Sequence, residues 1–224
     1  MSHITTEIIK LHEELAPFNA SLVAVSKFHP ADEILEAYNA GQRIFGESRA
    51  QELIAKVPQL PEDIRWHFIG HLQTNKVRQI IDKVALIESV DSVKLLYYID
   101  KEAFRAGLKV NVLMQLHVAA EETKTGFSPS ELLDFFCKEK YSDLKATHIC
   151  GVMGMATNTE DTSRIRQDFK TIRQVYDQIK ENAPKDFHGF DIVSMGMSSD
   201  WKIALEEGSN MVRIGTDIFG PRQY

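Results

Sequence analysis

Short β-rich runs alternate with longer helical patterns from one end of the 224-residue chain to the other, and no Pro/Gly/Ser-rich linker divides them. That alternation is the strongest constraint on the fold. The expected strands are 21–26, 43–45, 65–69, 84–88, 110–117, 146–152, 190–194 and 211–214, and the expected helices between them are 31–40, 47–57, 73–81, 92–106, 129–140, 161–181 and 199–207. Eight strands alternating with helices fit either an open doubly wound sheet or a closed (β/α)8 barrel. A dinucleotide-binding open sheet carries Gly-x-Gly-x-x-Gly after its first strand, whereas this chain reads Ser26-Lys27-Phe28-His29-Pro30 there. We therefore expect an α/β fold of the TIM-barrel type, with residues 1–224 forming one domain. Ile4, Ile8, Leu11 and Leu15 at helical spacing mark an extra helix at about 4–16 before the first strand. The usual barrel has about 250 residues, which leaves little room for a second domain.

Composition narrows the function. Hydrophobic residues make up 43% of the chain, enough for a substantial core, and the formal net charge of -6 with both signs interspersed offers no basic face for nucleic acid. No apolar run approaches the roughly 18 to 20 residues of a membrane helix, and the N-terminus lacks the apolar segment of a signal peptide. Cys137 and Cys150 are too few for a disulfide framework and have no zinc-ligand spacing, so both are expected to be buried thiols of a cytoplasmic protein.

Chemistry gathers at the two ends of the chain, which a closed barrel makes neighbours. On the first strand Val23, Val25 and Lys27 share a face, and if the valines fill the barrel then Lys27 reaches the rim at the C-terminal ends of the strands, where barrel active sites lie. Removal from water disfavours an ammonium and leaves an amine able to condense with an aldehyde. A lysine emerging from a strand end into solvent is the competing reading. Phosphate sites in barrels recur after strands seven and eight, and here Ser194-Met195-Gly196-Met197-Ser198-Ser199-Asp200 and Gly215-Thr216 supply small residues, backbone N–H groups and hydroxyls. Ser198 or Ser199 is the expected cap of the next helix. Arg213 is expected to point inward with Met211, paired either with a ring nitrogen or with a carboxylate such as Asp217 or Glu47. An amine, a phosphate cradle and an arginine in one place suit pyridoxal 5'-phosphate.

Several segments then resemble a known family. Val25-Ser26-Lys27, Phe45-Gly46-Glu47, the run from Trp66 to Lys76, Ser194-Met195-Gly196-Met197-Ser198 and the run from Met211 to Gly220 are similar to signature segments of the pyridoxal phosphate homeostasis proteins. The resemblance implies the fold of the N-terminal domain of alanine racemase and an internal aldimine on Lys27. It also implies phosphate contacts from Ser194, Gly215 and Thr216, and a ring-nitrogen contact from Arg213. Ser48 stands where that family often has asparagine, Met153-Gly154-Met155-Ala156-Thr157 departs from its Met-x-Ile-Pro, and Lys124-Thr125-Gly126 is similar to its Lys-Ser-Gly loop.

The expected function is to hold the cofactor for storage or delivery in vitamin B6 homeostasis, with apo-enzymes as candidate recipients, a monomeric state and no efficient catalysis. A racemase-like enzyme is the alternative, but the chain ends at Tyr224 and offers no second base for two-sided proton transfer. A metal-dependent hydrolase built on His67, His71, His117, His148 and His188 lacks any ligand spacing to support it. His67 is expected to face the barrel interior from its parity with Ile69.

Overall fold

In the computed structural model, which describes residues 2–120, 125–138, 140–183 and 187–221, eight parallel strands close into a barrel in sequence order. They are β1 (Ser21–Val25), β2 (Ile44–Glu47), β3 (Arg65–Phe68), β4 (Leu86–Val90), β5 (Val110–His117), β6 (Thr147–Met155), β7 (Ile192–Met197) and β8 (Met211–Ile214). Closure is carried by β8 against β1, where Val23 lies opposite Arg213 and Ala24 opposite Ile214. The helices are α1 (His3–Leu15), α2 (Ala31–Asn39), α3 (Ala50–Lys56), α4 (Thr74–Ile80), α5 (Val93–Ala106), α6 (Pro129–Cys137), α7 (Thr162–Asn182), α8 (Trp201–Glu206) and α9 (Thr216–Phe219). Lys124, and residue 139 of the expected sixth helix, lie outside the described residues.

Strand parity divides the apolar side chains into two cores. Alternate residues such as Leu22, Ala24, Phe45, Phe68 and Ile214 face the helices and join one large cluster with the helical stripes. The others form a small cluster within the barrel, built on Val23, Leu86, Leu113, Cys150, Met153 and Met211. On α7 the stripe Ile165, Phe169, Ile172, Tyr176 and Ile179 is buried as its period requires.

The first helix completes the outer ring. α9, after β8, has only four residues and cannot cover the seam where the barrel closes. α1 does so: its buried Ile4, Ile8, Leu11 and Leu15 pack toward β1, it lies against α2 and α9, and Glu14 pairs with Lys202 of α8 at 3.1 Å. Helix starts follow local chemistry, with Ser2, Ser92 and Ser128 accepting from first-turn N–H groups and Ser128 forming a capping box with Glu131.

Two expectations are corrected at this level. Cys137 is exposed, because it sits on the outer side of the last turn of α6, whereas Cys150 is buried inside the barrel. β7 runs three residues beyond its expected end at 194, and its register shifts between Ser194 and Met197 where Gly196 adopts a φ of +97°. A Cβ at Gly196 would come within 2.6 Å of the Ala204 Cβ and 2.9 Å of the Trp201 Cα, so glycine there lets α8 close onto the strand.

A candidate cofactor-binding cavity at the barrel mouth

The C-terminal mouth of the barrel holds a cavity of about 480 Å³ walled by Lys27, His29, Ser48, Met153, Met155, Ser198, Arg213, Gly215, Thr216 and Asp217, among others. Its size is in the ordinary range for a small-molecule site, about 300–1,000 Å³. Four of the five expected site residues, Lys27, Arg213, Gly215 and Thr216, meet there. Ser194 does not, and Ser198 and Ser199 stand in the wall in its place.

Lys27 is presented by a turn rather than by the strand itself. β1 ends at Val25, and a hydrogen bond from His29 N–H to the Ser26 carbonyl at 3.1 Å closes a turn with Lys27 and Phe28 at its centre. Phe28 takes a φ of +68°, a conformation that residues other than glycine seldom adopt. It is held there by its own N–H, which donates to Glu52, and by the Arg49 guanidinium, 4.6 Å from the ring centre. Pro30, extended at φ -72° and ψ 167°, then opens α2.

Beneath this turn lies a buried polar cluster that sequence reading missed. Lys56 Nζ donates to the Ser26 carbonyl, to Glu47 Oε1 and to Glu52 Oε1 at 2.7–2.9 Å, and the Ser26 hydroxyl donates to Glu47 at 2.7 Å. Burial pushes the Glu47 carboxyl above the usual glutamate range, with Lys56 and Ser26 drawing it partly back. The signal in the sequence was Lys56 at helical spacing from Glu52, on the face that α3 turns toward β2.

Arg213 rests on a second cluster, inside the barrel. Its guanidinium donates to the Ser194 hydroxyl at 2.6 Å and to the Gly154 carbonyl at 2.9 Å, and lies 3.8 Å from Glu88. Glu88 in turn accepts from Ser194 at 2.6 Å and pairs with His67 Nδ1 at 2.6 Å. The carboxylate partner is therefore Glu88 and neither Asp217 nor Glu47, because Glu47 faces α3 on the outside of the sheet. Burial acts to raise the Glu88 carboxyl, but His67, Arg213 and Ser194 outweigh it and hold the group below the usual range.

This cluster explains the displacement of Ser194. With β7 extended to Met197, Ser194 lies in mid-strand, fully buried, and its hydroxyl is committed to Glu88 and Arg213. The cavity is reached only from Met197 onward, and its first hydroxyl on this segment is that of Ser198. The expected serine cap of α8 is corrected as well: Asp200 occupies that place, and its carboxylate accepts from the Met197 N–H. His67 faces inward as expected but sits below the cavity, bordering a pocket at the opposite mouth of the barrel.

On the far side of the cavity β8 gives way to Gly215, where a Cβ would stand 3.1 Å from the Val25 carbonyl oxygen and 3.2 Å from its Cβ. Glycine keeps the loop close to the strand that leads to Lys27. Asp217 lies on the same rim; burial raises its carboxyl, Glu7 adds to this, and Ser198 opposes it. The histidines do not converge: His71 pairs with Asp91, His148 with the His188 carbonyl, and among the described residues no group of three or more His, Cys, Asp or Glu side chains could hold a metal ion. No helix among those residues is long and apolar enough to cross a membrane.

The arrangement suits an aldehyde that carries an anionic group and a ring nitrogen. A primary amine stands at one wall, hydroxyls and a glycine-bordered backbone at another, and between them an always-charged donor held by a buried carboxylate.

The family model for the alanine racemase N-terminal domain matches residues 1–223. A pyridoxal phosphate homeostasis protein of Aquifex aeolicus is 38% identical over 207 residues, covering 92% of this chain and 88% of that protein. One of Schizosaccharomyces pombe is 40% identical over 209 residues, covering 91% and 85%. Among solved structures, PipY of Synechococcus elongatus with pyridoxal phosphate bound superimposes with a TM-score of 0.86 at 36% identity, over 97% of this chain and all of that one. Alanine racemase of Bartonella henselae, at 17% identity and a TM-score of 0.76 over 98% of this chain and 59% of its own, shares the fold.

Proposed function

The chain belongs to the alanine racemase N-terminal domain family, and within it we propose a protein of vitamin B6 homeostasis that binds pyridoxal 5'-phosphate covalently through Lys27 and stores or delivers it. One observation carries this reading: Lys27, Arg213, Gly215 and Thr216, distant in sequence, line a single cavity. When bound, the cofactor supplies an electrophilic carbonyl carbon. The protein's residues do the rest. Lys27 offers the nucleophile, and the Ser198, Ser199 and Thr216 hydroxyls with the backbone at Gly215 receive the phosphate. Arg213 donates to the ring nitrogen and, as a permanent cation, gives it no proton. A ring left unprotonated is a poor electron sink, which suits storage better than bond-breaking at an amino acid.

The racemase reading is weaker on the same geometry. Inversion requires proton donors on two faces of the substrate; Lys27 and His29 project from one turn, and the rim carboxyl across from them, Asp217, is already hydrogen-bonded with Ser198. Absence of efficient catalysis, delivery to apo-enzymes, a cytoplasmic setting and a monomeric state belong to this proposal. The test is to add pyridoxal phosphate to wild type and to Lys27→Ala, reduce with borohydride and map the product by mass spectrometry. A reduced adduct on Lys27 that the variant lacks is expected. An adduct on another lysine, or none, overturns the assignment.

A further inference from the structure

We infer that His29 is the proton shuttle through which Lys27 gains and loses its aldehyde, an inference that rests on the proposed function. His29 is 94% buried by relative exposure, its surface fraction being 6%, yet it forms part of the cavity wall with Lys27. The turn that presents the lysine fixes the histidine too, because the His29 N–H closes that turn on Ser26 and Pro30 restrains its backbone. The ring is clamped on two further sides. Glu33, one helical turn along, lies 2.8 Å from Nδ1, and Phe219 of α9 stacks on the ring with centroids 5.0 Å apart and planes inclined by 28°.

A carboxylate at Nδ1 favours the tautomer with the proton on that nitrogen, which leaves the lone pair on Nε2, the ring nitrogen not engaged by Glu33. This is the arrangement of a histidine built for proton transfer, with a carboxylate fixing the tautomer and the orientation of the ring. A histidine whose role was packing alone would not need a wall position beside Lys27, which among the described residues is the lysine of that wall.

The chemistry is a series of proton transfers that such a group speeds. As the Lys27 Nζ–carbon bond forms, the carbonyl oxygen must leave as water, and both protons of that water come from the amine nitrogen. Nε2 can take a proton from nitrogen as it adds and return it to the departing oxygen, and then repeat the transfer as the second carbon–nitrogen bond forms. Release is the reverse: water adds to carbon, its protons return to nitrogen, and the carbon–nitrogen double bond breaks. No oxidant, reductant or further reactant is needed. The charged groups around the ring are Glu33 on α2, Lys27 on the turn, and Asp217 and Arg213 across the cavity. Asp217 is the competing shuttle.

A shuttle speeds both directions equally and leaves the equilibrium alone, which separates it from a structural role. We expect His29→Gln, read by the visible absorbance of the carbon–nitrogen double bond, to slow loading and release alike by about 10²-fold. Their ratio, and so the affinity, should stay as in wild type. In His29→Ala, added imidazole should restore part of the rate, and Glu33→Gln should slow both directions by a smaller factor and alter their pH profile. Circular dichroism identifies a variant that has not folded, and Glu33→Gln, which keeps the histidine, then carries the test. Unchanged rates in His29→Gln, a changed affinity with no common slowing, or a loss of rate in Asp217→Asn alone would each overturn the inference. Wild type that never develops the absorbance overturns this inference and the proposed function together; wild type that does, with His29→Gln equal to it, overturns only this one.

Discussion

Glu47 and Glu88 are buried carboxylates that stand behind Lys27 and Arg213 of the cavity, one outside the sheet and one within the barrel. Glu47 faces α3, shares Lys56 with Glu52, and supports the turn bearing Lys27; its second oxygen, Oε2, has no hydrogen-bond partner among the described residues. Glu88 faces the barrel axis, has both oxygens engaged by His67 and Ser194, and supports Arg213. The first carboxyl is raised by burial and the second is held low by its partners. The outer cluster can therefore discharge itself by taking up a proton, whereas the inner one contains an arginine that cannot lose its own. In the proposed function, the support that can change its charge lies under the residue that reacts, and the one built on a permanent cation lies under the residue that holds.

The largest effect expected from this difference is on stability. Glu88→Ala leaves a guanidinium buried with no carboxylate, a change that typically costs about 3–5 kcal/mol. Lys56→Met leaves Glu47 free to protonate, so its loss should be nearer 1–3 kcal/mol, the range for an unsatisfied buried polar group. Urea unfolding of both variants measures the gap. A Glu88→Ala protein as stable as Lys56→Met would show that the inner pair is not committed as its geometry indicates.

The comparison also marks what the sequence made legible. Alternation of strand and helix patterns was enough for the barrel, because each strand's parity and each helix's stripe are local. Lys27, Arg213, Gly215 and Thr216 were legible because they lie at the ends of short strands, where the rim follows directly. Glu88 was not identified, although a carboxylate at an inward position of the expected strand 84–88, facing an arginine that needs a partner, was the available signal. Ser194 was misplaced for a different reason. Its strand continues through a register shift at Gly196, and nothing local separates a glycine inside a bulged strand from one that ends it. The capping of α8 was missed for the same reason: the loop begins later than expected.

An acid titration should separate the two clusters next, with a smaller effect. Glu88 has a depressed carboxyl, so its contribution is complete above the ordinary glutamate value of 4.5 and is lost as pH falls through its lower folded value. Glu47 behaves in the opposite sense. Its raised carboxyl favours the folded state below 4.5, and that contribution is lost as pH rises through the folded value. On acidification Glu47 should take up its proton first and Glu88 last, as read from carboxyl carbon shifts in protein labelled at glutamate. The reverse order would refute the contrast.

The smallest expected effect tests how the outer cluster sets the turn. Phe28 is held at a φ of +68° by Glu52 below and Arg49 above, and a left-handed conformation costs an ordinary L residue roughly 1–2 kcal/mol. Asparagine tolerates that conformation better, so Phe28→Asn relieves part of the cost, while losing the cation over the ring forfeits about 0.5–1 kcal/mol. These contributions nearly cancel, and thermal unfolding should move by no more than the equivalent of about 1 kcal/mol. What should change is Lys27: with less to enforce the turn, its rate of capture of an aldehyde should fall while the fold persists. If the rate is unchanged in Phe28→Asn but falls in Lys56→Met, the hydrogen bonds beneath the turn position the lysine without help from the strained residue beside it.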